Sequence, residues 1–199
     1  MGETGSGRRY TIHDRSRLLD GFLPVDTVSV SFERFDGGFA GPMERRVLMR
    51  GDAAAAVLYN PSAGTVVLAE QFRVATVDGG SGWLVEIPAG MIDAGEEAEA
   101  TMRREILEET GYRVGALESW GWYFASPGGS AERVHMFYGE IGSGDRVAGG
   151  GGLDHEHEDI RLIEPTLAEV WRMLDNGSIL DAKTLIGLQG LRLRLAGAG

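Results

Sequence analysis

The residues best placed to do chemistry lie between Gly90 and Tyr112, in the segment GMIDAGEEAEATMRREILEETGY. On a helix, Glu105 and Glu109 fall on one face because they are four residues apart, and Glu108 lies beside them. Clustered carboxylates repel one another unless a cation neutralises them. Oxygen ligands of this type suit Mg²⁺ or Mn²⁺, which also bind phosphate oxygens. The segment therefore predicts an exposed acidic helix edge that holds a divalent metal ion against a phosphate chain.

This helix needs an opposite face that anchors it. Ala98, Met102 and Ile106 form an apolar stripe that can pack on a sheet. We expect the helix to begin near residue 97 and to end before Gly111, which suits the left-handed position after a helix. A solvated, glutamate-rich surface helix is the alternative interpretation of such a pattern.

Strand patterns lie on both sides of this helix. Apolar or alternating runs predict strands at 25–32, 45–49, 53–59, 65–71, 83–87, 112–124, 133–141 and 159–163. A capping box formed by Thr166 and Glu169 opens a second helix, and a third helix covers about 181–195. These elements predict an α+β fold in which a mixed β-sheet is sandwiched between helices, with a small N-terminal antiparallel sheet.

The composition limits the possible function classes. The chain has 199 residues and a formal net charge of -11, which argues against general nucleic-acid binding. The absence of cysteine excludes disulfides and thiolate metal sites. The N-terminus lacks the apolar core of a signal peptide, and no apolar run is long enough to span a membrane. A cytoplasmic location without membrane contact is therefore expected.

The full spacing of glycine, glutamate, Arg-Glu-aliphatic, Glu-Glu and glycine resembles the Nudix box of the Nudix hydrolases. Tyr112 stands where that family usually has an aliphatic residue. Other segments resemble the ADP-ribose pyrophosphatase branch, namely EQFRVAT (70–76), WLVEIPAGMID (83–93), SPGGSAER (126–133) and GLDHEHEDI (152–160). EQFRVAT and DAKTLIGL (181–188) also resemble GDP-mannose pyrophosphatases. The resemblance implies a Nudix hydrolase domain at 51–199 and a homodimer whose contacts involve the β segment at 1–50.

The resemblance also implies which residues hold metal and activate water. The metal ligands would be the carbonyl of Ala89 and the carboxylates of Glu105, Glu109 and Glu158. Glu156 would act as the general base, and Glu108, which would help to hold a second ion, is the alternative base. His155 and His157 could bind Zn²⁺ as a His-x-His pair, but we expect them to flank the site as solvated residues.

Substrate contacts are expected from several other residues. Arg73 follows a predicted strand, and an arginine at a strand end can clamp a phosphate oxygen in a bidentate way, with a surface ion pair as the alternative. By resemblance, further contacts would come from Arg50, Glu86, Met91, Ser126 and Glu132. Arg50 would face the nucleotide unless it is an ordinary surface charge, and Glu132 would accept hydrogen bonds from sugar hydroxyls.

The resemblance leads to a specific expectation about the reaction. The first hypothesis is Mg²⁺- or Mn²⁺-dependent hydrolysis of ADP-ribose to AMP and ribose 5-phosphate, and GDP-mannose or another nucleotide sugar is the alternative substrate. A catalytically silent nucleotide-binding module and a structural protein stabilised by metal are the alternatives from other classes. One of the four tryptophans, or Phe32 or Phe35, could stack on the nucleobase of the substrate.

Overall fold

A computed structural model describes residues 2–3, 7–152 and 159–197 of the chain. Backbone contacts divide the chain into two units. The first comprises Met1–Gly51 and Phe124–Glu132, and the second comprises Asp52–Tyr123 and Arg133–Gly199.

The first unit contains an antiparallel sheet of four strands in sequential order. The strands are β1 (Gly2–Glu3), β2 (Arg9–Leu19), β3 (Val25–Glu33) and β4 (Phe39–Leu48). Strand β3 occupies the predicted residues, but its buried positions include the polar Asp26 and Ser31, whereas Phe32 is exposed. The returning strand is longer than its apolar pattern suggests, because β4 pairs with β3 along most of its length.

The second unit is built on a seven-stranded mixed sheet. Its main path is β11-β6-β5-β10-β9, while β7 pairs with β6 and β8 pairs with β5. The strands are β5 (Ala53–Asn60), β6 (Thr65–Phe72), β7 (Trp83–Glu86), β8 (Ala89–Met91), β9 (Leu117–Phe124), β10 (Arg133–Glu140) and β11 (Arg161–Ile163). The central pair, β5 and β10, is parallel. Every residue of β5 is buried, as expected for a strand covered on both faces.

Helices cover both faces of this sheet. Helix α1 (Ala98–Glu105) runs into a π-helical turn (Ile106–Thr110), and Met102 and Ile106 pack with alternate residues of β5. Helices α2 (Leu167–Asp175) and α3 (Ala182–Gly197) pack on the other face. This arrangement confirms the predicted α+β fold and the apolar stripe of the first helix. The capping box of Thr166 and Glu169 is also present.

One predicted strand boundary was wrong, and one strand was not predicted. The strand predicted from residue 112 begins at Leu117, because Tyr112 and Arg113 pair instead with Arg146 and Asp145. The sequence does not predict β8, which has three residues and follows a proline. It forms because it pairs with β5 in register. Among the helices that the structure describes, none has the length and apolar character needed to cross a membrane.

Candidate active site

The acidic helix ends in a widened turn. Gly111 adopts a left-handed conformation with φ of 73°, and its amide donates to the carbonyl of Leu107 at 2.9 Å. This confirms the predicted helix end. The π-helical form of the last turn is not predicted by the sequence. Because a π turn holds more residues than an α turn, it changes the direction of the side chains that follow Glu105.

Glu109 points inward from this turn. Its carboxylate accepts a hydrogen bond from the amide of Ala89 at 3.1 Å, and the residue is only 2% exposed. The prediction that Glu109 lies on an exposed edge was therefore wrong. Ala89 and Glu109, both predicted to hold metal, do lie in contact.

Glu105 lies against Gly90, which follows Ala89 in strand β8. Its side chain is 13% exposed, and a Cβ atom placed on Gly90 would overlap the Glu105 carboxyl group. Only glycine at position 90 allows this close approach. The glycine that begins the motif therefore has a steric role, since it makes room for one of the motif's carboxylates.

Arg104 holds the other carboxylates together. Its guanidinium donates to Glu105 at 2.8 Å, to Glu108 at 3.1 Å and to Glu96 at 3.3 Å. A hydrogen bond from Thr101 and the Arg104 guanidinium lower the pKa of Glu96. Burial opposes the charge of Arg104, but the surrounding carboxylates outweigh it and raise the pKa of the guanidinium. Arg104 therefore holds Glu96, Glu105 and Glu108 close together through three hydrogen bonds.

The chemistry of this donor set fits a hard divalent cation. Within the described part of the chain, no three acidic or histidine side chains already converge as a ligand set, and Arg104 supplies the positive charge between the glutamates. The oxygens of Glu105, Glu108 and Glu109 nevertheless belong to one helix end and are of the type that Mg²⁺ and Mn²⁺ prefer. Glu156 and Glu158 lie outside the described residues, as do His155 and His157.

Arg73 and Glu86 form an ion pair in which the carboxylate is buried and the guanidinium is 40% exposed. The Nε and Nη2 atoms of Arg73 each donate to a different Glu86 oxygen at 2.9 Å, and Glu86 is 2% exposed. The bidentate side of Arg73 is therefore engaged by protein. Burial alone would raise the pKa of Glu86, but Arg73 and Lys183 outweigh burial and lower it.

Lys183 and its neighbours extend this ion pair into helix α3. The ammonium of Lys183 donates to Glu86 at 2.7 Å and lies 3.0 Å from Asp181. Thr184 donates to Asp181 at 2.6 Å and accepts from the amide of Ile87 at 2.8 Å. The sequence motif DAKTLIGL resembles a family segment but does not assign a contact to Lys183. The contact joins residues 97 positions apart, which no local pattern reveals.

Three predicted substrate residues lie in the first unit. Arg50 and Glu132 form an ion pair with 3.9 Å between Nη1 and Oε1. The carbonyl of Ser126 accepts from the amides of Gly129 and Ser130, which closes the SPGG loop as a tight turn. Met91, in the second unit, is half-buried in β8 next to Gly90. The residues predicted to bind substrate are thus distributed over both units.

Tyr112, which stands where the motif usually has an aliphatic residue, is buried and makes a polar contact. It is 4% exposed, belongs to the core on the α1 side, and donates from its hydroxyl to Glu164 at 3.0 Å. Burial and Glu164 raise the pKa of Tyr112. The aromatic ring at this position therefore serves packing, and its hydroxyl binds Glu164.

Comparisons with known proteins agree with this geometry. The model of the NUDIX domain matches residues 49–184. The GDP-mannose pyrophosphatase of Cronobacter sakazakii is 39% identical over 179 residues, covering 89% of this chain and 92% of that protein. The GDP-mannose pyrophosphatase of Escherichia coli O157:H7 is 38% identical over 178 residues, covering 88% of this chain and 91% of that protein.

A solved structure shows the same fold. The crystal structure of an ADP compounds hydrolase matches with a TM-score of 0.74 and 19% identity over 96% of both chains. Pyrophosphatases of the Nudix family generally use a divalent metal ion. The family match and the full-length relatives confirm the resemblance based on the Gly90–Tyr112 motif. The chain therefore belongs to the Nudix family and is a Nudix hydrolase.

Proposed function

We propose that the protein hydrolyses the diphosphate of a nucleoside diphosphate sugar, with GDP-mannose as the first candidate. Water would add across the phosphoric anhydride and release GMP and mannose 1-phosphate. The observation that carries the proposal is the contact of Glu109 with Ala89 and of Glu105 with Gly90, with Arg104 joining Glu105 to Glu108. The relatives named GDP-mannose pyrophosphatase support this substrate.

ADP-ribose is the second candidate substrate, and its products would be AMP and ribose 5-phosphate. The segments WLVEIPAGMID and SPGGSAER support it, because they resemble the ADP-ribose pyrophosphatase branch. Both substrates contain the same sugar-linked diphosphate, so the same acidic cluster would serve either.

Glu105, Glu109 and the carbonyl of Ala89 would hold a Mg²⁺ or Mn²⁺ ion, with Glu108 beside them. A bound divalent ion neutralises the diphosphate and lowers the pKa of a coordinated water molecule. The surrounding residues fix the carboxylates. Arg104 orients Glu105 and Glu108, while the Ala89 amide orients Glu109.

Arg73 is proposed to contact the diphosphate through Nη1, because Nε and Nη2 donate to Glu86. Glu86 then acts as a positioning residue that fixes the direction of the guanidinium. Arg50, Glu132 and Ser126 are proposed to contact the nucleotide and the sugar, as the resemblance implies, and Met91 is proposed to lie near the substrate.

Glu156 is proposed as the general base, and Glu108 is the rival. Replacing the base by glutamine should reduce kcat while leaving KM nearly unchanged, because a base acts mainly in the transition state. We therefore expect Glu156→Gln to lower kcat by about 100-fold or more, within the range of general-base contributions. Steady-state kinetics of Glu156→Gln and Glu108→Gln test this assignment. A kcat loss confined to Glu108→Gln would assign the base to Glu108.

A panel of nucleotide sugars with Mg²⁺ tests the proposed function. We expect GDP-mannose to give stoichiometric GMP and sugar phosphate, and excess EDTA to abolish turnover. Binding of nucleotide sugars without any product would instead identify a silent binding module. Stabilisation by Mg²⁺ with neither binding nor turnover would identify a structural metal protein.

A further inference from the structure

A glycine-rich segment lies directly on the end of the acidic helix. We call residues 147–152 the glycine strap. The amides of Val147 and Ala148 donate to the carbonyl of Gly111 at 2.8 and 3.1 Å. The amide of Gly151 donates to the carbonyl of Glu109 at 2.7 Å, and that of Gly152 donates to the carbonyl of Glu108 at 3.3 Å. The strap thus satisfies carbonyls that a helix end leaves without intrahelical partners.

The conformation of the strap requires glycine. Gly150, Gly151 and Gly152 have φ values of 69°, 106° and 85°, a region that other residues rarely adopt. A Cβ atom on Gly150 would lie 2.6 Å from the carbonyl carbon of Thr110 and 2.7 Å from the carbonyl oxygen of Glu109. A Cβ atom on Gly151 would meet only the Ile160 carbonyl, at 3.8 Å. Close approach to the helix therefore depends on Gly150 in particular.

Glu109 is consequently held from two directions. Its carboxylate accepts from the Ala89 amide, and its backbone carbonyl accepts from the Gly151 amide. The π-helical turn that directs Glu109 inward is covered by the strap at the carbonyls of Glu108, Glu109 and Gly111. A displacement of the strap would move the backbone of this turn and the carboxylate with it.

We propose that the glycine strap is a positioning element that sets the metal affinity of the site through Glu109, with Gly150 as its critical residue. The inference rests on the proposed function, in which Glu109 holds a divalent ion. The competing explanation is that the strap only closes the end of the helix and contributes to folding.

Three alanine variants separate these explanations. Gly150→Ala introduces both backbone strain and a collision with the helix end. Gly151→Ala introduces strain at a positive φ without the collision. Gly149→Ala introduces no contact within 4 Å and is the matched control. The affinity for Mn²⁺ is measured without substrate by electron paramagnetic resonance, alongside the unfolding midpoint and kcat for GDP-mannose hydrolysis.

We expect Gly150→Ala to weaken Mn²⁺ binding by about 10-fold or more, a loss typical of residues that orient metal ligands. Gly149→Ala should retain the wild-type affinity. Gly151→Ala keeps the amide that donates to Glu109 and adds no collision, so it should weaken Mn²⁺ binding less than Gly150→Ala does. A wild-type Mn²⁺ affinity in folded Gly150→Ala would overturn the positioning role. Wild-type protein that binds no Mn²⁺ would instead overturn the proposed function.

Gly150→Asn keeps the measurement decisive if Gly150→Ala does not fold. Asparagine tolerates the left-handed conformation better than alanine but carries the same colliding Cβ atom. Folded Gly150→Asn with weakened Mn²⁺ binding would support the proposal. If neither variant folds, the strap is a determinant of folding and the positioning role is rejected.

Discussion

Glu109 serves the fold and the proposed site at the same time. It is buried, yet its carboxylate is kept in place by one backbone amide and its carbonyl by another. The position of Glu108 next to Arg104 follows from their i,i+4 spacing on the helix, which the sequence displays directly. The contact between Arg104 and Glu105, which are adjacent in the chain, does not follow from that spacing. The inward direction of Glu109 cannot be predicted from helical spacing, because it depends on a π-helical turn that has no recognisable local sequence pattern.

Glu109→Gln should lower kcat by about 100-fold or more, because a direct ligand should matter at least as much as the outer-shell groups whose loss costs 10–100-fold. Stability should change little, since the glutamine side-chain oxygen can still accept from the Ala89 amide. Glu99→Gln is the matched control, because Glu99 is on the same helix and its ion pair among the described residues is an exposed one with Arg103. Steady-state kinetics with an unchanged rate for Glu109→Gln would refute its role as a metal ligand.

Among the elements, β7 and α3 are joined by charges that sequence spacing does not reveal. Glu86 at the end of β7 binds Arg73 after β6 and Lys183 in α3, and Thr184 links α3 to the Ile87 amide. The capping box of α2 is predictable, because its two residues lie within one helical turn. The sequence also predicts helix α3 close to its observed bounds. The ion-pair network is not predictable, since it arises only when distant elements pack.

The Glu86 network should make stability depend on pH. The folded-state pKa of Glu86 is lowered from 4.5, so its contribution is complete above about pH 4.5 and is lost as the pH falls through the folded value. Glu86→Gln should reduce the free energy of unfolding at pH 7 by about 1–3 kcal/mol, the cost of leaving buried partners unsatisfied.

Urea unfolding of both proteins between pH 7 and pH 3 checks this prediction. The difference between the wild type and Glu86→Gln should shrink as the pH falls below about 4.5. A difference that stays constant or grows on acidification would contradict the role of the ionised carboxylate.

At the scale of the whole molecule, the first unit exposes large apolar side chains to solvent. None of the eleven residues of β2 is buried, and Phe22 and Phe35 are 84% and 91% exposed. A sheet normally buries at least one face, so we propose that a second copy of the chain covers this surface. Of the strands in this unit, β3 is predictable from alternation, but the exposure of the sheet is not, because alternation does not show what covers a sheet.

Sedimentation equilibrium tests the proposed homodimer. We expect a mass of twice 21.4 kDa at micromolar concentration, and Phe22→Asp should shift the protein towards monomer. Leu193→Asp, at a residue of α3 that is 74% exposed, should leave the mass unchanged. A monomeric wild-type protein up to about 100 µM, where the weakest specific associations form, would contradict the homodimer.

The most direct test of the central claim is product analysis by ³¹P NMR after incubation with GDP-mannose and Mg²⁺, with ADP-ribose as the parallel substrate. The cluster of Glu105, Glu108 and Glu109 predicts cleavage of the anhydride into a nucleoside monophosphate and a sugar phosphate, with loss of cleavage in Glu109→Gln and in EDTA. Intact substrates after prolonged incubation with folded, Mg²⁺-supplied protein would contradict a nucleoside diphosphate sugar hydrolase.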